Sequence, residues 1–257
     1  MGAVAHPLPL TGERTLPGVP GEEYWFARHE AAYRWAVATL GGLPVAGAAV
    51  VEAGSGEGYG ADLLRAAGAR VVVALEYDEA AVRHAASAYP DVRSVRANLA
   101  ALPIAPGRAD AVVSLQVVEH LWDLRGFLAG CAAALRPGGR LVLSTPNRPV
   151  FSPGLGRGER PTNPFHVEEF DAEQLSALVA AAGFERTAVV GLHHGSRVAA
   201  WERRRGEPVV AAQVRAVVGP AGADAELAAF VSTVRADDFV VGGAEDAQDL
   251  LLTAVRP

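Results

Sequence analysis

Seven short, nearly unbroken apolar runs recur along the chain, and most are separated by a segment with helical periodicity. The runs are residues 48–53, 70–75, 92–97, 109–115, 140–144, 187–192 and 250–255, and the helical patterns are 58–67, 79–88, 124–135 and 172–182. A strand buried on one face alternates apolar with polar residues. A strand buried on both faces does not, so these runs call for a sheet covered by helices on both sides. Strands alternating with helices also imply that the sheet is mostly parallel. The expectation is a doubly wound, Rossmann-like α/β fold with a seven-stranded, mostly parallel sheet.

The remaining segments divide the chain around that core. Residues 1–20 carry Pro7, Pro9, Gly12, Pro17, Gly18 and Pro20 and are read as an extended arm. Residues 22–40 place Trp25, Phe26, His29, Tyr33, Trp35 and Val37 near helical spacing until Gly41, Gly42 and Pro44 stop the pattern. Residues 1–44 are therefore an arm plus an aromatic helix that covers the core, and 45–194 are the core itself. Residues 195–248 are too long for a structureless loop and read as a helical insertion before the last strand, residues 249–257. A lid, an acceptor wall or a dimer contact would each suit the insertion.

Composition excludes several classes. With 257 residues, half of them hydrophobic, the chain needs no disulfide or metal staple. Cys131 is the single cysteine, which leaves no internal disulfide or thiolate zinc site and fits a reducing cytoplasm. All 23 basic residues are arginine, a compositional habit rather than a signal. A net charge of -6 argues against nucleic acid as partner. No run reaches the ~20 apolar residues of a membrane span, and residues 1–10 lack the pattern of a signal peptide.

The most pointed local signal is Val50-Val51-Glu52-Ala53-Gly54-Ser55-Gly56-Glu57-Gly58-Tyr59-Gly60, a strand entering a glycine turn that opens a helix. Glycines there let a ligand approach the backbone closely. The dinucleotide fingerprint would need glycine at the sixth position from Gly54, which is Tyr59, and a P-loop would need a lysine the chain lacks. Glu52 at the strand end would repel a pyrophosphate and suits a cationic ligand.

This stretch resembles motif I of the class I S-adenosylmethionine-dependent methyltransferases, and the motifs that follow arrive in that family's order. The resemblance implies S-adenosylmethionine as cofactor, held by Glu52, Gly54, Gly56 and Gly58. It implies Glu76 on the ribose hydroxyls, Asn98 and Leu99 on the adenine, and further cofactor contacts from Tyr77 and from Gln116 after the fourth strand. The family usually has Asp where this chain has Asn98, whose amide oxygen still accepts a hydrogen bond. A closer likeness, covering nearly the whole chain, is to the mycobacterial methylmannose-polysaccharide 1-O-methyltransferases. Residues 10–15, 24–26, 116–123, 144–148, 163–166 and 191–195 carry it. It implies a sugar or oligosaccharide hydroxyl as acceptor, possible involvement of Mg2+, and Arg14 on the methionine carboxylate.

Transfer to a hydroxyl needs a base that takes the proton in step with attack. Ligands bind outside the carboxyl ends of the strands, which puts Glu119 and His120 opposite the methyl. His120 is the expected general base because a neutral imidazole accepts protons near pH 7, with Glu119 assisting. Tyr24, Trp25, His166 and His193 are candidate acceptor contacts, and no metal ligand set can be named from their spacing. A small-molecule O- or N-methyltransferase of specialised metabolism is the alternative, and a non-catalytic S-adenosylmethionine-binding subunit a further one. Amino-group methylation of nucleic acid would call for an Asn/Asp-Pro-Pro-aromatic sequence where Leu115-Gln116-Val117-Val118 stands, and C5 methylation for a cysteine outside a helix. A homodimer is a further expectation.

Overall fold

The computed structural model describes residues 14–218 and 224–257. Expectations for residues 1–13, most of the arm, lie outside them. The first helix, α1 (Glu23–Thr39), is followed by β1 (Ala49–Ala53), α2 (Tyr59–Ala66), β2 (Val71–Glu76), α3 (Glu79–Ala88), β3 (Arg93–Arg96) and β4 (Ala109–Leu115). Then come α4 (Leu124–Ala134), β5 (Leu135–Pro146), α5 (Arg148–Phe151), α6 (Ala172–Ala181) and β6 (Glu185–His194). The chain closes with α7 (Ser196–Arg205), α8 (Val209–Val218), α9 (Ala225–Val231), β7 (Phe239–Gly242) and β8 (Asp249–Val255).

These strands form one sheet in the order β3-β2-β1-β4-β5-β8-β6-β7. β1 to β5 pair in parallel, whereas β8 runs antiparallel between β5 and β6, and β7 is antiparallel to β6. The sheet thus has eight strands rather than seven. The extra strand, β7, lies inside the segment expected to be a helical insertion, residues 195–248. Only Phe239 of its four residues is buried, so its short Phe239-Val240-Val241 run lies at the sheet edge, held by pairing with β6.

Continuous apolar runs follow from two-sided burial. Val50, Val113, Val142 and Leu251 face the cluster built with α1, α2, α7 and α9, while Val51, Val112, Leu141, Leu143, Leu250 and Leu252 face that built with α4 and α6. Each such buried aliphatic side chain contributes about 1.5–3 kcal/mol. The β3 edge instead carries exposed arginines, which discourages pairing with another sheet. Asp78, Asp123, Asp171 and Asp224 accept backbone N–H groups at the starts of α3, α4, α6 and α9 and set where those helices begin. Among the described residues no helix is long and apolar enough to cross a membrane.

Candidate active site

From β1 the chain runs outward through β2 and β3 before crossing back to β4, so the sheet order reverses between β1 and β4. The loops at the carboxyl ends diverge at such a point and leave a crevice. A cavity of about 670 Å³ opens there, lined by residues 54–57, Tyr59, Glu76, Tyr77, 98–100, 115–117 and 120–123, with Arg14, Thr15, His29, Tyr33 and Phe165. Its size suits a cofactor together with part of a second ligand.

The floor is the glycine loop. Gly54 and Ser55 donate their N–H groups to the carbonyl of Leu75 at 2.8 and 3.0 Å. Gly54 has φ +84, and a Cβ there would stand 2.5 Å from Val117 Cγ2, so both backbone conformation and space demand glycine. Gly56 lines the cavity, and its N–H is held at 2.8 Å by Glu76 Oε2. Gly58 does not line it but packs against Ala85 and Tyr89. Glu76 also accepts from the N–H groups of Tyr77 and Asp78, each at 2.9 Å. Its carboxylate is thus fixed by three backbone donors at the cavity wall.

Asn98 lines the opposite side, its Oδ1 accepting from Ala100 N at 3.0 Å, and Leu99 is buried beside it. Arg14 enters from above. Its Nη2 meets Asp78 at 2.8 Å, while Nη1 is buried and has no hydrogen-bond partner among the described residues. A buried guanidinium with unused donors at a cavity wall is a ready receptor for a carboxylate.

Gln116 takes φ +57 as the chain leaves β4. Its side-chain amide donates to Ser144 Oγ and to Asp249 Oδ1, both at 3.1 Å, and Asp249 is itself paired with the buried Arg28. The side chain of Gln116 is therefore committed to its neighbours, and the helix α1 and strand β8 together hold the loop.

Glu52 stands elsewhere than expected. It is fully buried beneath the loop and absent from the cavity lining, with Oε1 accepting the Tyr33 hydroxyl, the Ala61 N–H facing the carboxylate, and Oε2 making no hydrogen bond among the described residues. Burial pushes its carboxyl up to about 8, against the opposing effect of the Tyr33 bond. Near pH 7 it is largely neutral. A Cβ on Gly60 would stand 2.5 Å from Glu52 Oε1 and closer still to the Tyr33 ring, which is why the last glycine of the motif is needed.

Glu119 and His120 come from the 3-10 turn Val118–His120 directly after β4. Glu119 is buried, accepts the Thr145 hydroxyl at 3.0 Å, and has its carboxyl raised by desolvation. His120 lines the cavity, its Nδ1 hydrogen-bonded to the Phe165 carbonyl at 3.0 Å. His166 packs edge-on against it with centroids 5.0 Å apart, its Nδ1 2.7 Å from Glu169 Oε1 and its Nε2 3.0 Å from Asn163 Nδ2. The main-chain oxygen of Glu119 accepts from Val167 N at 2.7 Å, which ties the 163–169 segment to the turn. Glu119, His120 and His166 thus converge, each offering a ligand atom within 4.8 Å of the others.

The other acceptor candidates are not brought here. Tyr24 is fully buried and its hydroxyl meets His194 Nε2 at 2.7 Å; Trp25 packs on it edge-on at 5.1 Å. Tyr24 lies in the core and Trp25, half-buried, packs against it. His193 Nε2 donates to the Gly243 carbonyl at 2.7 Å, away from the cavity. Conversely, Thr15, His29, Tyr59, Trp122 and Phe165 line the cavity unforeseen. Trp122, two residues beyond His120, carried a signal in its proximity, whereas Phe165 reaches the cavity only by long-range packing.

The chain matches known proteins along most of its length. A family profile described as a methyltransferase domain matches residues 25–189. A probable S-adenosylmethionine-dependent methyltransferase of Mycolicibacterium smegmatis is 46% identical over 99% of this chain and 98% of its own length. One of Mycobacterium tuberculosis is 44% identical over 97% of this chain and 90% of its own. Among solved structures, a SAM-dependent methyltransferase of Thermotoga maritima, described as a possible histamine N-methyltransferase, superposes with a TM-score of 0.61 at 18% identity, over 91% of this chain and 94% of that one. That last likeness concerns the fold.

Proposed function

The chain belongs to the S-adenosylmethionine-dependent methyltransferases, and from there we propose that it methylates a hydroxyl of a sugar or oligosaccharide. The free reducing-end 1-hydroxyl of a 3-O-methylated mannoside is the specific acceptor, and His120 is the general base. The observation that carries this reading is the bond between His120 Nδ1 and the Phe165 carbonyl. A carbonyl only accepts, so Nδ1 holds the proton and Nε2 is the basic nitrogen of the neutral ring. Amines bring their own lone pair, and phenols ionise readily. An alkyl hydroxyl is the nucleophile that most needs such a base.

Bound S-adenosylmethionine supplies a methyl group on a sulfonium, a good leaving group. Several cavity features fit that cofactor: the uncommitted Arg14 Nη1 for its carboxylate, Glu76 for the ribose, Asn98 and Leu99 for the adenine, and the open face above Gly56. His120 takes the acceptor proton as the new C–O bond forms and the C–S bond breaks, leaving S-adenosylhomocysteine and an imidazolium. Glu119, buried beside it, favours that imidazolium, and by the same coupling the charge on His120 pulls the Glu119 carboxyl back toward ionisation.

A divalent cation is a second reading, favoured by the convergence of Glu119, His120 and His166. One carboxylate and two imidazoles suit a borderline 3d cation better than Mg2+, which prefers oxygen ligands and retained water. Such an ion would polarise the acceptor hydroxyl. Chelation followed by re-addition of Mg2+, Mn2+ or Co2+ tests it, and an unchanged rate after chelation removes it.

The base assignment is tested with His120→Ala. Calorimetry should show retained S-adenosylmethionine binding while release of S-adenosylhomocysteine with the mannoside is lost. An acceptor panel that includes phenols and amines tests the substrate class. Exclusive turnover of a phenol or an amine would point to specialised metabolism instead.

A further inference from the structure

Trp122 has the highest exposure of any large hydrophobic side chain among the described residues, 91%, and Phe165 stands at 53%. Leaving an indole in water forgoes the gain of burying it. Scattered exposed apolar residues need no explanation, but these two line one cavity beside the same histidine. Trp122 follows His120 by two residues, and Phe165 supplies the carbonyl that receives the His120 bond.

Neither sits on a loosely held loop. Phe165 N donates to Asn163 Oδ1 at 3.0 Å, the following Val167 N is tied to the Glu119 carbonyl, and Leu121 N bonds back to Val118 O at 3.3 Å. Asp123 then starts α4 by accepting Gly126 N at 2.8 Å. Preorganised aromatic groups bind at low entropic cost.

Resting on the methyl-transfer reading above, the geometry points to Trp122 and Phe165 as an acceptor platform that holds the apolar face of a neutral pyranose ring while one of its hydroxyls reaches His120. A pyranose presents C–H bonds on a face and hydroxyls at its edge, which matches aromatic surface beside a base. The cavity lining carries Glu57, Glu76 and Asp123 against the single guanidinium of Arg14, so a phosphorylated or carboxylated acceptor is disfavoured. Tyr24, buried, and Trp25, half-buried against it, are outside the cavity lining and do not compete for the role.

The test labels the full chain with 5-fluorotryptophan, saturates it with S-adenosylhomocysteine and titrates a disaccharide of 3-O-methylmannose, a mannoside whose reducing-end 1-hydroxyl is free, with Trp122→Phe assigning the Trp122 fluorine signal. The mannoside should shift that signal. Trp122→Ala and Phe165→Ala should each weaken mannoside binding about tenfold and raise KM rather than lower kcat, with S-adenosylhomocysteine affinity unchanged. Both side chains are exposed, so the variants should fold. A Trp122 signal unmoved by mannoside, wild-type mannoside affinity in Trp122→Ala, or a response only to 4-methylcatechol or to anionic phospholipid vesicles would overturn the platform. Mannoside that shifts Trp122 but is never methylated leaves the platform standing and sinks the acceptor reading. Mannoside methylated by Trp122→Ala with unchanged KM does the reverse.

Discussion

Glu52→Gln should make the protein more stable in alkaline solution while leaving it nearly unchanged in mild acid. In the folded chain Glu52 is fully buried with one oxygen on the Tyr33 hydroxyl and the other making no hydrogen bond among the described residues, and its carboxyl is raised from 4.5 to about 8. Between those two values the folded state keeps a proton that the unfolded state has released. Stability therefore falls as pH rises through that window and levels off above about 8. At ~1.36 kcal/mol per pH interval of one, the whole window is worth up to about 5 kcal/mol. Water penetration and relaxation around the charged form reduce that ceiling. Glutamine cannot ionise, yet keeps an acceptor for Tyr33. Urea unfolding of both proteins at several values between about pH 5 and pH 9 measures the difference, which also cancels contributions from other buried groups such as Glu119. The two should agree within about 1 kcal/mol at the acidic end and diverge by several at the alkaline end. Parallel curves would mean that Glu52 is not held neutral, and the account of the site floor would fail.

Gly54→Ala should cost about 1–3 kcal/mol and weaken S-adenosylhomocysteine binding in calorimetry, because the new Cβ meets Val117 at 2.5 Å on a backbone at φ +84. Adding Val117→Ala should recover only the steric part. Arg28→Met should destabilise by about 3–5 kcal/mol in thermal melts by stranding the buried Asp249 carboxylate, and pairing it with Asp249→Leu should restore much of the loss. Cys131, fully buried with its thiol pushed up by desolvation, should react with a thiol reagent only after denaturant is added.

Much of the core was legible because its determinants are local. The apolar runs around Val50, Val112 and Leu251 announce strands buried on both faces, and the positive φ of Gly54 and Gly56 is something only glycine supplies cheaply. β7 was not legible: Val240 and Val241 are exposed at the sheet edge, and a four-residue strand is stabilised by hydrogen bonds to β6 that leave no periodicity behind. Glu76, Asn98 and Arg14, the residues expected at the cofactor, line the cavity, since each sits at a strand end or in the arm beside it. Tyr24, Trp25 and His193 do not, for an aromatic or a histidine reads the same in sequence whether it faces a core or a ligand.

What the amino-acid order by itself determined is the set of strands, the glycine turn after β1, and the placing of His120 just beyond β4. Those features depend on backbone conformation and on apolar spacing over a few residues. Only tertiary structure decided that Glu52 is neutral, since its burial comes from elements distant in sequence packing over it and outweighs the Tyr33 bond that opposes the shift. It also brought His166 and Phe165 across to His120 and left Trp122 facing water at the cavity mouth. Charge state, side-chain convergence and exposure are set by which distant groups pack together. No run of neighbouring residues encodes them.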